Sequence, residues 1–117
     1  MKQTLAVVSD LHCGSTVALC PPSIELDDGG VYYASKAQMW LWNNWSAFWA
    51  RVHEVRGDTL TVIVNGDLTE GDHHRTTQIL SGNPTAQAAV VNAVLQVPLE
   101  LHPDHWGFVR GTEAHVG

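Results

Sequence analysis

Three short polar segments follow apolar runs along the chain, and they carry side chains of the kinds that bind metal ions. In chain order these side chains are Asp10 and His12, then Asp67, then Glu113 and His115. A carboxylate together with an imidazole suits manganese, iron or zinc better than calcium or magnesium. The sequence therefore predicts a metal site, provided that the fold brings the three segments together.

The apolar runs before these segments are short and rich in β-branched residues, which is typical of buried parallel strands. They predict strands over residues 3–9, 59–65 and 105–110. In an open α/β sheet, ligands bind beyond the carboxyl ends of the parallel strands. The three polar segments follow those ends, so their position supports a site more strongly than their composition does.

A helix is predicted over residues 34–55, because apolar side chains recur there at spacings of four, three and four. These side chains are Leu41, Trp45, Phe48 and Val52. Three further tryptophans, Trp40, Trp42 and Trp49, widen the apolar stripe. Such a cluster fits an aromatic binding surface or packing of the helix onto the sheet, and the helical pattern favours packing.

A second helix is predicted to begin at Asn83-Pro84, an amide cap followed by a proline suited to the first helical position. We expect it to run to about Gln96 and to be stopped by Pro98. Residues 13–33 and 66–83 predict loops. The first loop is either functional, such as a lid, or a surface insertion. The order β-α-β-α-β favours an α/β fold with parallel strands and right-handed crossovers.

Composition limits the classes of function. The 117 residues leave room for one domain, and 12 acidic residues against 6 basic ones give a net charge of −6. Without a cluster of lysine or arginine, a broad nucleic-acid-binding face is not expected, although a bound metal would supply positive charge to a nucleic-acid substrate. No apolar segment is long enough to span a membrane. Cys13 and Cys20 are too few for a disulfide scaffold, so we expect packed, reduced thiols and a cytoplasmic location.

Taken in order, the three segments resemble the first motifs of the calcineurin-like metallophosphoesterase family. Asp10-Leu11-His12 is similar to the family's Asp-x-His motif, and Gly66-Asp67 is similar to its Gly-Asp motif. The third motif departs from the family pattern, in which Asn and His directly follow a glycine. Residues 111–115 read Gly-Thr-Glu-Ala-His and resemble a variant found in phage-type members, with Glu113 in place of the Asn and His115 in place of the His.

The resemblance implies metal-dependent hydrolysis of phosphate esters at a dinuclear site. Divalent manganese is the expected metal, with iron or zinc as alternatives. The first ion would be bound by Asp10, His12 and the bridging Asp67, and the second by Asp67 and Glu113. His115 would protonate the leaving group or hold the phosphoryl oxygens. Because the family takes further ligands from two later histidine motifs, we expect the first site to be better occupied than the second.

The fold implied by the resemblance is an α/β/β/α sandwich, and residues 1–117 resemble its first half, a single partial domain whose C-terminal half is absent. The expected partners are a phosphate-ester substrate, with nucleic acid among the alternatives, and either the missing half or further copies of the chain in a homo-oligomer. No membrane partner is expected.

Two alternatives to the implied enzyme stay open at this point. In the first, the chain is a non-catalytic metal-binding or interaction remnant that needs a second polypeptide. In the second, it is a plain α/β domain with incidental carboxylates. His73 and His74, a few residues past Asp67, would contact substrate or replace a missing ligand if the site is real. Exposed loop histidines are the commoner explanation for such a pair.

Overall fold

The computed structural model describes residues 2–26, 29–66, 68 and 84–109 of the chain. The elements are, in order, β1 (Gln3–Ser9), β2 (Ser23–Glu25), β3 (Val31–Tyr33), α1 (Lys36–Val55), β4 (Thr59–Asn65), α2 (Pro84–Leu99) and β5 (His105–Val109). The predicted α/β class and the parallel pairing of the three longer strands are confirmed. Of the helices in the described ranges, neither α1 nor α2 has the length and apolar character needed to cross a bilayer.

β4 lies in the middle of the sheet, whose strand order is β1-β4-β5. Its alternate residues Leu60, Val62 and Val64 are almost completely buried. They belong to one core cluster with residues from both helices, namely Trp45, Trp49 and Val52 of α1 and Val90 and Val94 of α2. Both helices therefore pack on the same face of the sheet, as two successive crossovers of the same hand in one direction require.

The opposite face of the sheet carries apolar side chains that the described part of the chain leaves exposed. Leu5 and Val7 of β1 are 64% and 51% exposed, and Val109 of β5 is 53% exposed. The registers Val7↔Ile63 and Ser9↔Asn65↔Val109 place these residues on one side of the sheet. A parallel sheet is usually covered on both faces, so this surface is unusual for the class.

α1 begins at a capping box that also fixes the segment after β1. The Ser35 side chain accepts a hydrogen bond from the Gln38 backbone N–H, and the Ser35 N–H donates to Gln38 Oε1. Gln38 is completely buried, and its Nε2 donates to the carbonyls of Ser15 and Ala18, each at 3.1 Å. Its Oε1 also accepts from the Tyr32 hydroxyl at 2.7 Å. One buried amide thus joins α1, β3 and the segment that follows β1.

The tryptophans of α1 divide between the core and the surface. Trp45 and Trp49 are 8% and 1% exposed and pack in the core, and Trp42 packs against it while partly exposed. Trp40 is 65% exposed. The packing interpretation is therefore confirmed for Trp45 and Trp49, and it is wrong for Trp40.

α2 continues past the point at which Pro98 was expected to stop it, and it ends at Leu99. Proline has no N–H to donate to the carbonyl four residues earlier, which here belongs to Val94. The indole N–H of Trp45 donates to that carbonyl instead, at 3.0 Å. A side chain of α1 thus replaces the hydrogen bond that Pro98 removes, and the last turn stays helical.

A short antiparallel hairpin of β2 and β3 lies within the region predicted as a loop, residues 13–33. Each strand has only three residues, which is too short to show an alternating pattern. Prolines and paired glycines around the two strands favoured a loop. The prediction of an unstructured loop was therefore wrong for residues 23–25 and 31–33.

Both cysteines are free and buried, as predicted. Burial raises the pKa of the Cys13 thiol to about 12 and the pKa of the Cys20 thiol to about 11. Both side chains are therefore protonated at neutral pH and behave as small apolar groups in the core.

Trp49→Ala should lower the free energy of unfolding by about 3–5 kcal/mol, because a large buried ring leaves a cavity that the sheet cannot fill. Trp40→Ala removes an equally large ring from the exposed side of the same helix. This variant should change the free energy of unfolding by less than about 0.5 kcal/mol. Urea unfolding followed by far-ultraviolet circular dichroism measures both variants. Equal losses in the two variants would contradict this packing of α1.

Candidate metal centre

The three longer strands end level with one another at the carboxyl edge of the sheet. Ser9 of β1 pairs with Asn65 of β4, and Asn65 pairs with Val109 of β5. Because the strands are parallel, the chain leaves all three ends on the same side of the molecule. The first two polar segments, which begin at Asp10 and Gly66, therefore start next to each other.

Backbone hydrogen bonds hold the segments beyond the strand ends together. The Gly66 N–H donates to the Val109 carbonyl at 2.8 Å, and the Cys13 N–H donates to the Leu68 carbonyl at 2.8 Å. Gly66 and Leu68 are the chain neighbours of Asp67, which itself lies outside the described residues. The segment that carries Asp10 and His12 is thus bonded to the segment that carries Asp67.

Asp10 and His12 face each other at the start of this segment. The distance from Asp10 Oδ1 to His12 Nε2 is 3.8 Å. A transition-metal ion binds carboxylate oxygen and imidazole nitrogen at about 2.1 Å each, so one ion fits between these two atoms. The Asp10 side chain is 66% exposed and the His12 side chain is 27% exposed, so solvent reaches both.

The backbone at this pair has an unusual conformation. Asp10 has a φ of 55° and His12 has a φ of 47°, whereas most non-glycine residues avoid positive φ. Leu11 between them is buried in the core and anchors the segment. Gly66 has a φ of 78°, which glycine adopts without the steric cost of a side chain. Backbone strain of this kind is often found at functional sites.

Five predicted site residues lie outside the described residues, and their roles stay predictions: Asp67, His73, His74, Glu113 and His115. Within the described ranges, no group of three or more histidine, cysteine, aspartate or glutamate residues is placed to share a metal. A metal centre that includes Asp10 and His12 would therefore need further ligands from outside the described residues.

A cavity of about 700 Å³, which was not predicted from the sequence, opens beside Asp10 and His12. It extends between the end of β1, the segment after it and α1. Phe48 lines the cavity and is 42% exposed, although its place in the apolar stripe of α1 indicated the core. Helical periodicity shows which side chains share a face, but not what that face contacts.

Comparison with known proteins gives no assignment. No family model, curated protein or solved structure matches the chain. The Asp10–His12 pair at the sheet edge is therefore the main indication of function in the described part of the chain.

Asp10→Gly should raise the free energy of unfolding, measured in EDTA, by about 0.5 kcal/mol, because glycine adopts a φ of 55° without the steric cost of a side chain. Ser9→Gly, one residue earlier in β1, should lower it by about 0.5–1 kcal/mol, since glycine weakens a strand. Chemical unfolding compares the two variants. A similar loss of stability in both would show that Asp10 is not strained.

Proposed function

We propose that this protein is a metal-dependent phosphoesterase, built like the N-terminal half of the calcineurin-like metallophosphoesterase sandwich. The observation that carries the proposal is the Asp10–His12 pair, 3.8 Å apart at the carboxyl edge of a parallel sheet and bonded through Cys13 to the segment that holds Asp67. Ligands of α/β proteins bind at this edge of the sheet.

Asp10, His12 and Asp67 are the proposed ligands of a first divalent ion, and Asp67 and Glu113 are those of a second. Carboxylate and imidazole donors favour manganese, with iron or zinc as alternatives. Such ions lower the pKa of bound water and stabilise the attacking and leaving oxygens of a phosphate ester. The first ion has more proposed ligands in this chain, so it should bind more tightly.

The protein's own contribution is to hold these groups in place before substrate arrives. Leu11 in the core fixes the backbone between Asp10 and His12, so this backbone does not need to be ordered on binding. His115 is proposed to donate a proton to the leaving oxygen, and His73 and His74 are weaker candidates for contact with the phosphate.

The exposed sheet face supports the proposed architecture. In an α/β/β/α sandwich, the face opposite the helices packs against a second sheet. Leu5, Val7 and Val109 would be removed from water by such a layer, which favours its binding. The proposed source of the layer is a C-terminal half, with further copies of this chain in a homo-oligomer as the alternative.

A non-catalytic metal-binding or interaction module is the second candidate function. The same exposed apolar face favours it, because a surface of this kind is typical of a protein that binds a partner polypeptide. The two free, buried thiols are consistent with a cytoplasmic location in either case.

Manganese should activate hydrolysis of bis(p-nitrophenyl) phosphate, and Asp10→Ala or Asp67→Ala should lower both metal affinity and activity by more than ~100-fold, because each removes a direct ligand. Glu54→Gln is the matched control. It removes an exposed carboxylate on α1 that pairs with Arg51 at 3.6 Å, and it should leave both properties unchanged. Absorbance assays and calorimetric titration of Mn²⁺ measure the two effects.

The outcomes separate the two candidate functions. Asp10-dependent metal binding without hydrolysis under manganese, iron or zinc would favour the non-catalytic module. Activity that survives EDTA would contradict the proposed mechanism. Tight binding of two metal ions per chain would contradict the expectation that the first site has a higher affinity than the second.

A further inference from the structure

The cavity beside the candidate metal centre has a mostly apolar lining. Asp10 and His12 stand at one end of it, and they are the only titratable residues among the described residues that line it. Apolar residues of the lining include Val17, Leu19, Leu41, Trp45 and Phe48, and its uncharged polar residues are Ser9, Ser15 and Asn44. Its volume of about 700 Å³ falls within the range of about 300–1,000 Å³ that is typical of small-molecule sites.

One wall of the cavity is aromatic and held in place by contacts within the fold. The Trp45 indole N–H donates to the Val94 carbonyl at 3.0 Å, which fixes the ring. Trp49 contacts both lining rings edge to face, with ring centres 5.5 Å from Trp45 and 4.9 Å from Phe48. These contacts hold Phe48, the more exposed of the two rings, as a preformed surface against which another ring can pack.

The facing wall is fixed by the buried side chain of Gln38. Its Nε2 donates to the carbonyls of Ser15 and Ala18, which lie on either side of Val17. Val17 is 59% exposed although it is apolar, and Phe48 on the other wall is 42% exposed. The two walls therefore offer apolar surface to a ligand without a rearrangement of the backbone.

We propose that this cavity is the leaving-group subsite of the enzyme, and that it binds the aromatic ring of an aryl phosphate ester. This inference rests on the proposed function, because it assumes that the phosphate binds at the metal centre of Asp10 and His12. The organic group of such an ester must then occupy adjoining space. The space that adjoins this pair is mostly apolar, is lined by aromatic rings on one side and contains no other charged side chain among the described residues.

The test compares two phosphonates that are not hydrolysed, phenylphosphonate and methylphosphonate, by calorimetry at a fixed concentration of Mn²⁺. Both present the same anion to the metal, and only the first has a ring. Phenylphosphonate should bind at least about tenfold more tightly, since the ring is removed from water against Phe48. Equal affinities would overturn the subsite.

Two variants test whether the preference for phenylphosphonate over methylphosphonate arises in the cavity. Phe48→Ala removes the aromatic wall, and Val17→Asp places a charge on the facing wall at an exposed position that should not affect folding. Each should reduce the ratio of the two affinities to about twofold or less. Trp40→Ala, which removes an exposed ring of α1 that does not line the cavity, should keep the full ratio. Retention of the ratio in both Phe48→Ala and Val17→Asp would also overturn the subsite.

The affinity ratio separates failure of the subsite from failure of the proposed function. If hydrolysis depends on manganese and on Asp10 but the affinities are equal, the subsite is wrong and the enzyme stands. If the ratio is high and is lost in Phe48→Ala while no ester is hydrolysed, the result supports the aromatic subsite and counts against the proposed activity.

Discussion

Parallel pairing of β4 with both of its neighbours is the constraint on which the candidate site depends. Leu60, Val62 and Val64 are almost completely buried beneath the two helices, which fixes β4 in the centre of the sheet. A strand of seven residues is about 23 Å long, so an antiparallel neighbour would carry its polar segment to the far edge of the sheet. The same parallel pairing therefore buries β4 and places the polar segments at one edge of the sheet.

Gln38 provides the second constraint, because it fixes the chain beyond the strand ends. Its amide uses both donor hydrogens and both acceptor sites, so a buried polar group is fully satisfied. The same side chain thereby holds the start of α1 against the segment at Ser15 and Ala18. That segment follows His12 and forms a wall of the cavity, so the Asp10–His12 pair and the cavity share one support.

Much of the framework could be predicted from sequence because local patterns determine it. The β-branched runs gave β1 and β4 with the bounds that the structure shows, and the apolar repeat gave α1 to within two residues of its start. The features that were missed depend on contacts distant in sequence. Val94 receives its hydrogen bond from Trp45, 49 positions earlier, and the cavity exists only where α1 faces the end of β1. The identity of Asp10 and His12 as candidate ligands was available from position, but their positive φ was not.

Paramagnetic broadening by Mn²⁺ tests the central claim most directly, because it shows where on the sheet the ion binds. In ¹H–¹⁵N spectra with a small fraction of Mn²⁺, the amide signals of Leu11, Cys13 and Gly66 at the carboxyl edge should disappear first. Those of Lys2, Gly57 and Asp104 lie at the opposite edge and should stay sharp. Broadening centred on the opposite edge, or spread evenly over the protein, would contradict a metal centre at Asp10 and His12.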